Sequence, residues 1–348
     1  MSDSFSPTIR ELARRLGLST ATVSYALRHH PCVAAATRQR VLDAARAAGY
    51  RPSAMVNALM TQVRQRAVHA RPSGEVIAYL HAYDKEDDWL RTPSLKEQYE
   101  GACERARELG FGVQALWLGP WGARSRNVAR IMRARGIRGA IIAPVPVTGM
   151  KALELDWEAA SFVAISYTFD QKKVRRVVHH HLRGAGECFA KVRALGYRRI
   201  GLAIYREDDM EHIWMAGFLA GQQIYHALRL PVLIMEDPMD PAPFFEWFGR
   251  QRPDAVITVH GWGHQLLRWL RERGLRVPED VGYASLDVGA NNVGKVAGTL
   301  QDNPGMGRAA VDMVASSLLH NEIGLPAKPT ITMIDGEWTD GPTLRARA

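Results

Sequence analysis

Residues 8–27, T-I-R-E-L-A-R-R-L-G-L-S-T-A-T-V-S-Y-A-L, read as two short helices joined by a tight turn. Thr8 and Glu11, three residues apart, make a capping box for the first helix. Leu12, Ala13 and Leu16 recur at helical spacing and give it a buried face. Gly17 supplies the left-handed backbone that ends a helix, and Ser19 caps the next one. The second helix places Val23 and Leu27 inward and Thr20, Ala21, Ser24 and Tyr25 outward. This is the layout of a helix-turn-helix, in which apolar positions lock the pair and short polar groups face the major groove. An ordinary helical hairpin shares the pattern, and the surrounding chain decides between the two.

The distribution of charge separates the head from the body. The 348 residues carry a net charge of +9. Through position 71, eleven arginines stand against Asp3, Glu11 and Asp43, so +8 of that excess sits in the first fifth of the chain. A basic head on a near-neutral body points to a polyanion partner for the head alone. The apolar share of 47% and charged share of 23% are those of a soluble globular protein. No apolar run approaches the ~20 residues needed to span a bilayer, and the N-terminus lacks the pattern of a signal peptide. Cys32, Cys103 and Cys188 lie far apart, without metal-ligand spacing or a disulfide framework. These features set the expectation of a cytoplasmic protein with no membrane partner, metal or cofactor.

A third helix is expected from about Thr37 to Ala48, with Val41, Leu42 and Ala45 inward and Gly49 as its stop. With T-R-Q-R-V-L-D-A-A in that helix and G-Y-R-P-S-A after it, the segment resembles the headpiece of the LacI/GalR family of transcriptional regulators. The resemblance implies that Thr20, Ala21 and Tyr25 read base edges, with Ser19, Thr22 and Ser24 near phosphates. Thr8, Arg28 and Asn57 complete the DNA-binding set. The family usually has an arginine where Tyr25 stands and a serine cap where Ala34 stands, so the base read and the start of helix three differ here. Residues 50–59 resemble the family's hinge helix, which forms against its dimer mate on operator DNA and wedges a leucine into the minor groove. Leu59 holds that position; the alternative is an anchor against the core. The expected domains are a headpiece with hinge helix over 1–60, a linker over 61–74 and a two-lobed core over 75–348. The linker either extends the hinge helix or tethers it.

From Glu75 strands and helices alternate: strands at 76–80, 112–118, 139–143 and 162–165 with helices at 94–109 and 124–135. After a break near 168–173 the scheme repeats, with strands at 174–178, 199–204, 232–235, 255–259 and 281–286. Helices at 184–195, 212–228, 243–250 and 263–273 lie between them. Such alternation implies parallel sheets covered on both faces. The fold class expected is α/β: an all-α helix-turn-helix headpiece, then two doubly wound parallel-sheet lobes. The core resembles the periplasmic-binding-protein-like core of the same family; G-Y-R-R-I-G (196–201), R-G-L-R-V-P-E-D-V-G (273–282) and D-N-P-G-M-G-R-A-A-V (302–311) fall in family order. Its crossings between lobes are expected near 170, 300 and 325. The N-lobe is then about 75–170 and 302–324, and the C-lobe about 171–301 and 325–342.

Ligands of such folds bind beyond the carboxyl ends of strands. The resemblance places Asp287 as an acidic effector contact, with capping of a nearby turn as its alternative. His81, Tyr83, Ser166, Tyr167 and His260 fall at family contact positions and are either ligand contacts or cleft lining. Trp214 stands where the family usually has an effector-gripping arginine; it stacks on a ring but cannot clamp a carboxylate. In His179-His180-His181, consecutive strand residues point to opposite faces and no third ligand accompanies them, so the structural reading is preferred over a metal site. Nucleotide-cradling and nucleophile-elbow motifs are absent, so no enzyme is expected. The function expected is a repressor that binds a near-palindromic double-stranded operator as a homodimer, modulated by a small-molecule effector such as a sugar. A solute-binding or sensory protein sharing the two-lobed core is the alternative.

Overall fold

The computed structural model describes residues 9–27, 33–48, 50, 75–146, 153–171 and 173–347, without the side chains of Ala21, His260 and Gly261. Thr8, Arg28, Asn57, Leu59, the hinge segment after Tyr50 and the 61–74 linker lie outside the described residues.

Among the described residues, three helices build the headpiece: α1 (Ile9–Leu16), α2 (Thr20–Leu27) and α3 (Ala35–Ala47). Gly17 turns the chain at φ 65°, and Leu18 N–H closes on the Ala13 carbonyl at 3.0 Å. The Ser19 hydroxyl accepts from Thr22 N–H at 3.0 Å, satisfying a donor that the first turn of α2 leaves open. Leu12, Ala13, Val23, Ala26, Val33, Val41 and Ala45 form a small core of their own, with Leu16 and Leu27 at its edge. Ala34 offers α3 no side-chain cap.

The core begins at β1 (Val76–His81), followed by α4 (Pro93–Leu109), β2 (Gly112–Trp117), α5 (Ser125–Ala134), β3 (Gly139–Ile142), β4 (Ser161–Ile165) and β5 (Arg175–His179). Next come α6 (His181–Ala194), β6 (Ile200–Tyr205), α7 (Ile213–Ile224), β7 (Leu233–Met235), α8 (Ala242–Gln251), β8 (Ala255–Thr258), α9 (His260–Glu272), β9 (Gly282–Val288) and β10 (Gly298–Leu300). The chain ends with α10 (Asn303–Leu319), β11 (Ile331–Ile334) and β12 (Glu337–Thr339). One sheet has the order β11-β5-β4-β3-β1-β2 and the other β12-β10-β9-β8-β6-β7. All pairings are parallel except β10 with β12. Each sheet is apolar on both faces: in β1, Ile77 and Tyr79 pack to one side and Ala78 and Leu80 to the other. That two-sided burial is why the strands read as short continuous apolar runs.

The lobes meet at three crossings: His180, residues 301–302 and residues 335–336. The expected crossing near 170 is too early, because β5 pairs with β4 in the first sheet. The one near 325 is too early for the same reason, since β11 pairs with β5. Residues 173–179 and 325–334 therefore belong to the first lobe. The crossings are tied together. His180 N–H donates to the Ile334 carbonyl at 2.9 Å, and its Nδ1 meets Asp335 Oδ1 at 2.9 Å. Arg183 donates to the other Asp335 oxygen at 2.7 Å. On the first lobe α4 and α10 pack closely, because a Cβ at Gly101 would lie 2.2 Å from the Pro304 carbonyl oxygen. That approach brings the start of α10 against Gln98.

Candidate functional site

Two candidate surfaces emerge. The first is the outer face of α2. Thr20 is exposed and Tyr25 is 41% exposed, while Val23 and Ala26 are buried beneath them. Ser24 and Thr22 are half-buried, and the Thr22 hydroxyl lies 2.8 Å from that of Ser19. Arg10, Arg14 and Arg15 on α1 are also exposed. The helix thus offers short polar groups and a phenol, with cations on its neighbour.

The second surface is a cavity of about 350 Å³ between the lobes. The first lobe contributes Tyr83 beyond β1, Pro144 beyond β3, Ser166 and Tyr167 beyond β4, and His179 at the end of β5. The second contributes Glu207 and Asp208 beyond β6, Trp214 on α7, Val259 beyond β8 and Asp287 near the end of β9. Every strand-borne residue lies at a carboxyl end, where parallel sheets place their ligand crevices. Ser166 adopts φ 73°, a left-handed conformation that a side chain resists, held by its N–H on the Val177 carbonyl at 2.9 Å. Trp214 is fixed from its backbone: the buried Asp209 carboxylate accepts its N–H at 2.9 Å. The ring of His181 lies 4.0 Å from that of Trp214.

Of the effector candidates, Tyr83, Ser166, Tyr167, Trp214 and Asp287 line this cavity. His81 does not. Its side chain turns into the core, 1% exposed, with its ring 5.1 Å from that of Trp89. Burial lowers its pKa to about 4, leaving the imidazole neutral. His260 opens α9, and its side chain lies outside the described residues.

His179, His181, Gln98, Asn303 and Asp208 also line the cavity and had not been singled out as contacts. A signal for the histidines existed. Extending the 174–178 strand by one residue puts His179 at its carboxyl end, and starting the next helix at His181 places both at a ligand-facing boundary. Burial lowers His179 to about 4 and His181 to about 3, so both are neutral at pH 7. Among the described residues no group of three or more His, Cys, Asp or Glu is arranged to hold a metal. Asn303 joins the two helices: its Nδ2 donates to Glu97 at 3.0 Å, and its Oδ1 lies 3.3 Å from Gln98 Nε2 and 3.2 Å from His179 Nε2.

The acids titrate high. Burial, then the charges of Asp208 and Glu97, pushes Asp287 up to about 6; burial, then Glu207 and Asp209, pushes Asp208 up to about 6. The native state therefore holds protons that the unfolded chain, titrating near 4, releases. Stability contributed here is present below about pH 4 and falls as pH rises through about 6. Asp287→Asn is expected to raise the unfolding free energy by roughly 1–2 kcal/mol at pH 8 and hardly at pH 4. Urea denaturation at the two pH values checks this, and an equal change at both would contradict it.

Comparison with known proteins adds the following. Residues 8–53 match the family model of bacterial regulatory proteins, lacI family, and residues 189–337 match the periplasmic binding protein-like domain. The HTH-type transcriptional regulator GalS of Salmonella typhimurium is 48% identical over 56 residues, 16% of this chain and 16% of that protein. The regulator AglR of Rhizobium meliloti is 51% identical over 53 residues, 15% of each chain. The chain thus matches about one sixth of the length of these curated relatives, a stretch the length of the headpiece. Among solved structures, the transcriptional regulator CelR–cellobiose complex has a TM-score of 0.62 at 18% identity, covering 97% of this chain and 99% of that one. The lac repressor dimer bound to operator and the anti-inducer ONPF has a TM-score of 0.58 at 17% identity, covering 98% and 100%. At such identities the likeness is one of fold, and it spans headpiece and core together. Among the described residues no helix is long and apolar enough to cross a membrane.

Proposed function

We propose that this chain, whose helix-turn-helix belongs to the lacI family and whose core is periplasmic-binding-protein-like, is a sequence-specific DNA-binding transcriptional regulator. It represses by binding a near-palindromic operator as a homodimer, and a small-molecule effector such as a sugar acts from the interlobe cleft. The observation that carries this reading is the exposed face of α2 on a headpiece with its own core, in one chain with a ligand-sized cavity between two lobes. Thr20, Ala21 and Tyr25 are the proposed base readers. Ser19, Thr22 and Ser24 lie near the phosphates, Thr8 and Arg28 complete the headpiece contacts to DNA, and Asn57 and Leu59 act from the hinge. The effector binds one arrangement of the lobes more tightly than the other and so shifts hinge pairing and operator affinity. Nothing in this role requires catalysis. The basic headpiece separates the reading from a solute-binding protein that shares only the core.

Selection from random duplex DNA tests it. The chain is expected to enrich two half-sites related by dyad symmetry. Tyr25→Ala is expected to change the preference at one position of each half-site by about 1–3 kcal/mol. An unaltered consensus would remove Tyr25 from direct readout, and no symmetric consensus at all would contradict the function.

A further inference from the structure

Among the described residues, the wall of the interlobe cavity includes Glu207, Asp208 and Asp287 but no lysine or arginine. The charges that shift Asp208 and Asp287 are, among the described residues, those of other carboxylates, which makes the cleft electrostatically unfavourable for an anion. Buried polar atoms on the same wall give an independent indication. Asn303 is oriented by donating its Nδ2 to Glu97, so its Oδ1 accepts from Gln98 Nε2 and from His179 Nε2–H. A neutral imidazole with its proton on Nε2 has a bare lone pair on Nδ1, and Gln98 keeps a bare Oε1. Both atoms are buried without a partner, in side chains only 8% and 5% exposed. The unfilled atoms of Gln98 and His179 are therefore acceptors, beside two carboxylates that are acceptors as well.

We propose that the cleft takes a small hydroxylated ring bearing a protonated amine. Its N–H and O–H donors fill Gln98 and His179, its charge is offset by Asp208 and Asp287, and its ring lies against Trp214. An ammonium group has three donors and no acceptor, which is the complement of this wall. Sugar phosphates and sugar acids are rejected, because they would be desolvated against carboxylates, while the nearby Arg176 guanidinium is turned to three backbone carbonyls behind the wall. This rests on the reading of the cleft as the effector site.

Thermal unfolding of the full chain at pH 7 tests it with three probe sets: glucosamine, galactosamine and mannosamine; the matching neutral hexoses; and the hexose phosphates. A hexosamine at saturation is expected to raise the melting temperature by roughly 5 °C, the hexoses less and the phosphates not at all. In the double variant Asp208→Asn, Asp287→Asn the hexosamine's affinity is expected to fall at least about tenfold. A hexose or hexose phosphate that stabilises as well as its amine, or an amine effect that survives the double variant, would overturn the proposal and leave the cleft as the effector site. No shift from any probe would count against both.

Discussion

Replacing Leu12 with alanine is expected to unfold the headpiece and abolish specific operator binding while the two-lobed core keeps its own melting transition. Leu12 is fully buried in a cluster that, among the described residues, has seven buried side chains, three of them alanines. A buried leucine cut to alanine costs about 2–5 kcal/mol, with the cost set by how far the site can collapse. A domain of this size holds only a few kcal/mol in reserve, so the loss exceeds its margin. The lobes draw on separate clusters, four in all, and share no residue with this one. Gel shift paired with calorimetry checks both halves of the expectation. Operator affinity within about threefold of the parent would show that the headpiece is held by something other than this core.

The second large effect is expected at Arg176. This arginine is 8% exposed and its guanidinium donates to three backbone carbonyls: Ser166 at 3.1 Å, Phe169 at 2.6 Å and Gln171 at 2.9 Å. It thereby fixes the loop that carries Ser166, Tyr167 and Thr168 on the cavity wall. Burial lowers its pKa, yet an arginine stays charged, so the three carbonyls are also its compensation for lost water. Arg176→Met leaves those oxygens without their donors, at about 1–3 kcal/mol for each that water does not reach. The core is expected to lose about 3–5 kcal/mol and roughly 10 °C in melting temperature. The headpiece should still bind DNA without its effector response. A core that melts unchanged would mean that the loop is held by its own packing.

Arg176 also shows why parts of the fold were hidden in the sequence. The run from Thr168 to Lys173 looks like a break between lobes because it is polar and lacks periodicity. Its described residues form an internal loop of the first lobe, tied down by a side chain on the following strand. The helix-turn-helix was legible because its signals are local: capping by Ser19, the turn at Gly17, and apolar residues at helical spacing. The central strands were legible because burial on both faces makes them continuously apolar. Strand β11 was not read, since its exposed Ile331 and Met333 alternate at a sheet edge and its partner β5 lies some 150 residues earlier. In the cleft, Tyr83, Ser166, Tyr167 and Asp287 follow from the rule about strand ends. Gln98 and Asn303 sit on helices brought together by Gly101 and the chain's return to the first lobe, which only tertiary packing reveals. His81 shows the limit of the same rule: it ends a strand, but the pleat turns it inward onto Trp89.

The most direct test of the account is the salt dependence of binding to the selected operator, measured for the full chain and for the chain lacking residues 1–60. If the basic headpiece makes the phosphate contacts, log affinity should fall linearly with log salt for the full chain, at about 0.9 per phosphate neutralised. The shortened chain should bind weakly and show no such slope. A shortened chain that keeps the slope, or a full chain without one, would contradict the assignment of DNA binding to the headpiece.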